Sequence, residues 1–504
     1  MVSPCEWLFC TCAEGLRHEN RRDCTSGWRT HSECRWSHLA ITDVYTIGTI
    51  TNSCEIGQEL VAAKCGEQHA TSVRSPEMSA TIIRNGRIID PANKRDQIAD
   101  LFVVDEKIAD VSQLSTLNSK PEEIDARGLI VAPGLIDIHV HLREPGFGHK
   151  ETIESGARAA AAGGFTTIVC MPNTAPVPDN PGTIAWIKDR ASTISRVNIL
   201  PTGAISKNLA GEELAPIGSL AQAGVVAITD DGHCIQNHEL MRRAVEYARM
   251  VGVPVLDHCQ DYNLVGNGVV HEGYWSTLLG LPGWPAAGEE AIVMRNILLA
   301  ELCDHYIHCQ HISTAGSVRL LREARARGVK ISGEACPHHI ALTDDAIQNF
   351  DTNYKVNPPL RSQYHVDALL EGIADRTVSI LCSDHAPHAH FEKEVEFDAA
   401  PFGIIGLETE LGLFLDLLVH KHRAIDIARL IQMYTVEPSR LLKIDAGALS
   451  IGSHADVTLI DPELEWTVKV DQFHSASRNS PFEGWKLKGR AVRTIVGGKT
   501  VWKL

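Results

Sequence analysis

The sequence predicts an α/β protein: a (β/α)8, TIM-like barrel carrying a small β-sandwich domain built from segments at both ends of the folded region. Three observations predict it. Short apolar strands alternate with amphipathic helices through the middle of the chain, as parallel β/α units do. Strand-rich stretches flank that region on both sides. Histidines and aspartates recur where the central strands end, the edge at which such barrels carry their active sites.

At 504 residues the chain is long enough for one large domain with an accessory piece, or for two or three ordinary domains. A formal net charge of −16 argues against nucleic acid and against anionic membranes, since both require a basic face. It does not exclude an anionic small molecule, because overall charge says little about one pocket. No run approaches the ~20 apolar residues of a membrane span. The stretch Met1 to Cys12 holds Glu6 and lacks a basic start before an apolar core, so it is a poor secretory signal. A cytoplasmic protein with reduced cysteines is expected.

Residues 1–77 show no sustained period and no Cys-x-x-Cys pair, although they hold Cys5, Cys10, Cys12, Cys24, Cys34, Cys54 and Cys65. An unstructured or spurious leader is expected there; a small redox or metal module is the alternative. Folded protein is expected from Met78. The first sandwich part, 78–131, reads as strands Thr81–Arg84, Arg87–Ile89, Asp100–Val104, Lys107–Val111 and Leu129–Val131, with Asn85-Gly86 as a hairpin turn. The second part, 446–504, reads as strands Ala455–Asp461, Ala491–Val496 and Lys499–Trp502.

The barrel is expected over 132–445. Its first strand, within Val131–Ile138, ends at His139 and His141. The others are Phe165–Met171, Asn198–Pro201, Val225–Thr229, Val253–His258, Tyr306–His311, Lys330–Ala335 and Thr377–Cys382, with helices such as Glu239–Val251 and Gly316–Arg327 between them. An open doubly wound sheet is the alternative, weakened by the lack of a Gly-rich phosphate loop after the first strand. The seven later cysteines, Cys170 to Cys382, sit mostly in apolar strand-like runs, where a free thiol packs as a small hydrophobe.

Residues two apart on a strand share a face, so His139 and His141 aim at one point. Neutral imidazole is a common metal ligand. Alone, the pair could equally be two satisfied strand-end histidines. Asp230-Asp231, His258, His311 and Asp384 stand at the ends of four other strands and turn the reading to metal. Six ligand groups are too many for one ion and suit two Zn²⁺ per subunit, with a bridging anion between them. Adjacent strand residues face opposite ways, so Asp230 and Asp231 cannot both point at the metals.

The motifs His139-x-His141-x-Arg143-Glu144-Pro145-Gly146, Met171-Pro172-Asn173-Thr174, Asp230-Asp231-Gly232 and Asp384-His385-Ala386-Pro387-His388 resemble, in order and character, the amidohydrolase superfamily and within it the bacterial-type (class I) dihydroorotases. The resemblance spans Met78 to Leu504. It implies a zinc-dependent cyclic amide hydrolase of pyrimidine biosynthesis, interconverting (S)-dihydroorotate and N-carbamoyl-L-aspartate through a zinc-bound hydroxide. By position it implies that His139, His141 and Asp384 hold one zinc, that His258 and His311 hold the other, and that Asp231 bridges them. Many relatives bridge with a carboxylated lysine, and strand four offers none. Asp384 would carry the proton to the leaving nitrogen. Arg143, Asn173 and His388 would clamp the substrate carboxylate, and Asn357 would bond the ring. Otherwise Arg143 reads as a surface salt bridge and Asn357 as a turn residue before proline.

His338 and His339 read as structural or supporting the ligands. The polar stretch from Ala389 to Gly403 is expected to be a mobile loop over the site. A homo-oligomer is expected, and aspartate transcarbamoylase is a partner the resemblance leaves open. Two rival readings stand beside this one. The first is an allantoinase or hydantoinase, which shares fold and metals. The second is a non-catalytic scaffold of aspartate transcarbamoylase, disfavoured because all six ligands are present.

Overall fold

The computed structural model describes residues 80–116 and 120–504. The expectations for residues 1–77 lie outside the described residues. Strands β1 (Ala80–Asp90) and β2 (Arg95–Val104) pair antiparallel, followed by β3 (Lys107–Ala109). Asn85-Gly86 does not make the hairpin turn expected of it. It is a bulge inside one long strand, where the register slips between Ile83 and Gly86. A Cβ on Gly86 would stand 2.3 Å from Val131 Cγ2, so packing rather than a turn requires the glycine. The true turn is Pro91–Asn93, where the Asp90 side chain accepts from Asn93 N–H and Lys94 takes the left-handed conformation.

β4 (Glu122–Asp125) and β5 (Ile130–Pro133) both run parallel to β1. β4 escaped the sequence reading because Glu-Glu-Ile-Asp offers a single apolar residue. The run expected as one strand from Val131 to Ile138 divides at Gly134: β5 belongs to this sheet, and β6 (Leu135–Val140) begins another. A side chain at Gly134 would meet Thr166 Oγ1 at 2.0 Å, so only glycine lets the chain pass between the two sheets there.

The central region is parallel and alternates with helices. β6, β7 (Phe165–Cys170) and β8 (Asn198–Pro201) form one sheet. β9 (Val255–Asp257) pairs with a strand of a second sheet, after which β10 (Val270–His271) and β11 (Gly283–Trp284) make a small separate parallel pair. β12 (Ile307–Cys309), β13 (Ile331–Ala335) and β14 (Ile380–Leu381) complete the second sheet in the order β14-β13-β12-β9. The expected strand Val225–Thr229 is reduced to parallel bridges, Gly203 to Ile228 and Ile228 to Val255, which connect the two sheets. A further parallel bridge links Val140 to His385.

Ile136, Ile138, Val169, Met171, Ala227, Leu256, Cys336, Ile380 and Cys382 pack into one buried cluster between these strands. The helices pack a larger apolar layer against the strands' other side. Their ends carry ordinary caps: Thr152 and Ser155 form a capping box on helix Ile153–Gly163, and Asn237 caps helix His238–Val251. Cys170, Cys234, Cys259, Cys303, Cys309, Cys336 and Cys382 are all free and buried.

β15 (Val457–Thr467), β16 (Lys486–Val496) and β17 (Lys499–Lys503) return to the first sheet. β15 pairs antiparallel with β5, so strands from both flanks join in one eight-stranded sheet, ordered β17-β16-β15-β5-β1-β2-β3 with β4 on β1. Ile83, Ile88, Leu101 and Val131 from one flank share a core with Val457, Leu459 and Ile495 from the other. Among the described residues, no helix is long and apolar enough to cross a membrane.

Candidate metal centre and active site

The side chains of His139, His141, Asp231, His258, His311 and Asp384 converge, and all are buried. His139 Nε2 lies 3.2 Å from Asp231 Oδ1 and 3.5 Å from Asp384 Oδ1. His141 Nε2 lies 3.4 Å from Asp231 Oδ2 and 3.1 Å from Asp384 Oδ1. His258 Nδ1 and His311 Nε2 stand 3.7 and 3.8 Å from Asp231 Oδ1 and 2.8 Å from each other. Asp231 thus faces a ring nitrogen of each of the four histidines.

The outer nitrogens fix which face of each ring is available. His139 Nδ1 lies 2.7 Å from Glu334 Oε1, His141 Nδ1 2.9 Å from Asn173 Oδ1, and His258 Nε2 3.0 Å from Gln260 Oε1. These oxygens accept, so each outer nitrogen carries the proton and each inner nitrogen presents a lone pair. His139 Nε2 and Asp231 Oδ1 are buried and make no hydrogen bond, which is costly unless a cation lies between them. The donor set of four imidazoles and two carboxylates fits zinc. Burial opposes charge on both groups, yet Asp231, Asp384 and Glu334 raise His139 well above the usual imidazole range, and the histidines hold Asp231 well below the usual carboxylate range. The surroundings thus favour positive charge at the His139 ring, and a cation binding there would have to displace the proton from Nε2.

Asp230 and Asp231 point in different directions as expected, although they follow the bridge at Ile228 in a turn rather than in a strand. Asp230 turns away and accepts from the N–H groups of Ile205 and Ser206 and from the Ser206 hydroxyl. His311 (φ 31°), Asp384 (φ 47°) and Arg143 (φ 60°) are non-glycine residues in left-handed backbone conformations, a form of strain that gathers at functional sites.

A cavity of 350 Å³ opens onto the cluster, lined among others by Arg143, Asn173, Asn357 and His388. Arg143 Nε donates to Pro387 O at 3.2 Å, and its Nη2 lies 3.5 Å from His388 Nε2. Arg143 is half-buried and turned into the site rather than paired on the surface. His388 Nε2 donates to Phe402 O. Burial first, and then the Arg143 charge, push His388 down to about 2, so it is neutral and Arg143 carries the positive charge of this corner. Asn357 Nδ2 donates to Gln260 Oε1 at 3.3 Å, while its Oδ1 is buried without a partner. A larger cleft of 450 Å³, lined by Asp445, His454 and Asp456, holds none of these groups.

Sequence reasoning missed Glu334, which also accepts from His311 N–H and pairs with His308 at 3.0 Å. Its signal was present: a carboxylate inside the strand Ile331–Ala335. Asp137, beneath His139, was missed in the same way. It accepts from the Ser383 hydroxyl and from the N–H groups of Ser383 and His139, tying β6 to the residue before Asp384.

The Arg-Glu-Pro-Gly motif leans on the Met-Pro-Asn-Thr segment. A Cβ on Gly146 (φ 100°) would meet Ala175 O at 2.4 Å, and Ala175 N–H donates to Pro145 O. Pro401, Phe402 and Gly403 of the expected loop line the cavity, and Lys355 and Lys393 bond its backbone carbonyls at Asp398 and Pro401.

A family model described as dihydro-orotase-like matches residues 128–317. The chain is 48% identical to a dihydroorotase of Syntrophotalea carbinolica, over 84% of this chain and 99% of the relative. It is 50% identical to a dihydroorotase of Pelotomaculum thermopropionicum, over 83% and 98%. Among solved structures, an L-hydantoinase (dihydropyrimidinase) from Arthrobacter aurescens superposes with a TM-score of 0.74 at 25% identity, over 84% of this chain and 96% of that one. A D-hydantoinase (dihydropyrimidinase) from a Thermus species gives 0.71 at 26%, over 84% and 95%.

Proposed function

The chain belongs to the dihydroorotase family, and from that premise we propose that it interconverts (S)-dihydroorotate and N-carbamoyl-L-aspartate, a step of pyrimidine biosynthesis, as an aspartate-bridged class I enzyme. The observation that carries this reading is the inward set of imidazole and carboxylate groups beside one half-buried, charged Arg143. The two parallel sheets and their bridging residues are read as one closed (β/α)8 barrel, and the flanking eight-stranded sheet as the accessory sandwich.

His139, His141 and Asp384 would hold one zinc, His258 and His311 a second, and Asp231 would lie between them. When bound, such a pair supplies Lewis acidity, bringing the pKa of water toward about 7 and polarising a carbonyl. The chain's own residues do the rest. Asp384, ionised beside His141, takes the proton of the attacking water and returns it to the ring nitrogen as the amide C–N bond breaks. Cyclisation reverses these transfers.

Arg143 has Nε committed to Pro387 and turns its remaining guanidinium donors to the substrate carboxylate. Asn173, whose Oδ1 holds His141, has its amide N–H groups left for the same carboxylate, and neutral His388 completes that wall. Asn357 Oδ1 accepts from the pyrimidine ring N–H. The hydantoinase reading is second. It rests on shared fold, at about half the sequence identity seen with the dihydroorotases.

The test is purification of the full chain, quantification of bound metal, and the ultraviolet assay of dihydroorotate beside allantoin and hydantoin. Loss of dihydroorotate alone is expected. A metal-loaded sample that turns over hydantoin but not dihydroorotate would overturn the assignment.

A further inference from the structure

Just past β13 the chain runs Cys336-Pro337-His338-His339, with His338–Ala341 forming a single helical turn. Cys336, His338 and His339 are 0%, 1% and 2% exposed. Their candidate ligand atoms lie within 4.8 Å of one another. None of the three belongs to the site described above.

The ring nitrogens show what is missing. His339 Nε2 lies 2.9 Å from Pro358 O, and a carbonyl only accepts, so Nε2 carries the proton and Nδ1 the lone pair. That Nδ1 is buried without a partner, and neither ring nitrogen of His338 has one. Buried polar atoms are nearly always satisfied, and three orphans in adjacent residues beside a thiol call for a ligand. A ring with one nitrogen hydrogen-bonded and the other bare is the arrangement metal-binding histidines adopt.

We propose that Cys336, His338 and His339 form a further metal site for a thiophilic d¹⁰ cation, Cu⁺ or Zn²⁺. Sulfur and imidazole donors suit both ions. Bond lengths of about 2.3 Å to sulfur and about 2.0 Å to nitrogen require the three atoms to draw in by roughly 1 Å at most. Burial pushes the Cys336 thiol up to about 12, so the incoming cation displaces the S–H proton to solvent and no oxidation state changes. One thiolate and two neutral imidazoles leave a neutral centre with Cu⁺ and a singly positive one with Zn²⁺. The bound ion would fasten the turn after β13 to the Pro358 segment that carries Asn357.

The test loads the full chain with Zn²⁺ or, anaerobically, with Cu⁺, desalts it and counts retained ions by mass spectrometry. A parallel Co²⁺ sample is scanned for thiolate-to-metal charge transfer. Wild type is expected to retain one equivalent more than Cys336→Ser, and the Co²⁺ band is expected to vanish in that variant. The ion retained identifies the native class. His338→Gln, which spares the thiol, should lose the same equivalent if Cys336→Ser folds poorly. Equal stoichiometry in wild type and variants, or a Co²⁺ band that survives Cys336→Ser, would overturn the proposal and leave only buried water at the site. Neither variant touches the six ligands of the first centre, so dihydroorotate turnover reports on that centre separately.

Discussion

Glu334 Oε1 stands 2.7 Å from His139 Nδ1, and this pairing decides which nitrogen of the imidazole faces Asp231. Partners of this kind are worth about 10–100-fold in metal affinity. Glu334→Gln should therefore weaken metal retention by that factor against a competing chelator. Activity should return at saturating zinc. Unchanged retention would show that the ring is held by its packing alone.

The neighbours Asp230 and Asp231 should fail differently. Asp231→Ala should lose both bound metal and turnover. Asp230→Ala strips the acceptor from two buried backbone N–H groups, at about 1–3 kcal/mol for each, and should lower stability while metal content holds. Metal analysis and denaturant titration of both variants check the contrast.

Arg143→Ala removes the charged donor that faces the cavity. A charge-assisted hydrogen bond contributes about 1.5–3 kcal/mol, so KM for dihydroorotate should rise about 10–100-fold with metal content unchanged. Equal loss from Arg143→Lys would point to the geometry of the fork rather than to its charge.

Acid should weaken the fold through His271. Burial first, and then the Arg361 and His365 charges, push it down to about 3, and its Nδ1 accepts from Arg361 Nη1 at 3.2 Å. A depressed folded-state pKa means the unfolded chain binds the extra proton. Its stabilisation is thus complete above about pH 6.5 and drains away as pH falls toward 3. At pH 5 this one group accounts for at most about 2 kcal/mol. Denaturant titrations at pH 7 and pH 5 should show the loss, and His271→Asn should shrink the difference.

The alternation of β and α, the pairing of the two flanks and the strand-end side chains that converge were legible because each rests on period or on repetition, with the choice of Asp231 over Asp230 supplied by the family resemblance. What escaped depended on three-dimensional partners. β4 is held by β1 despite its acidic sequence. The strand at Val225–Thr229 survives only as bridges, and Gly86 and Gly134 answer to packing from residues distant in the chain. Glu334 and Asp137 were missed because a lone carboxylate in a strand declares its purpose only when its histidine is seen beside it. Asn85-Gly86 misled for the opposite reason: a strong local turn signal was overridden by a long strand with a partner along its whole length.

The junction of β5 with β15 has a consequence for synthesis. On the ribosome, β1 to β5 emerge first and must wait, one border unpaired, while the entire central α/β region is translated. A nascent chain in that condition carries an exposed strand edge, a template for pairing with other polypeptides. Shielding of that edge by chaperones, rather than the chemistry of the metal centre, would then limit the yield of active protein.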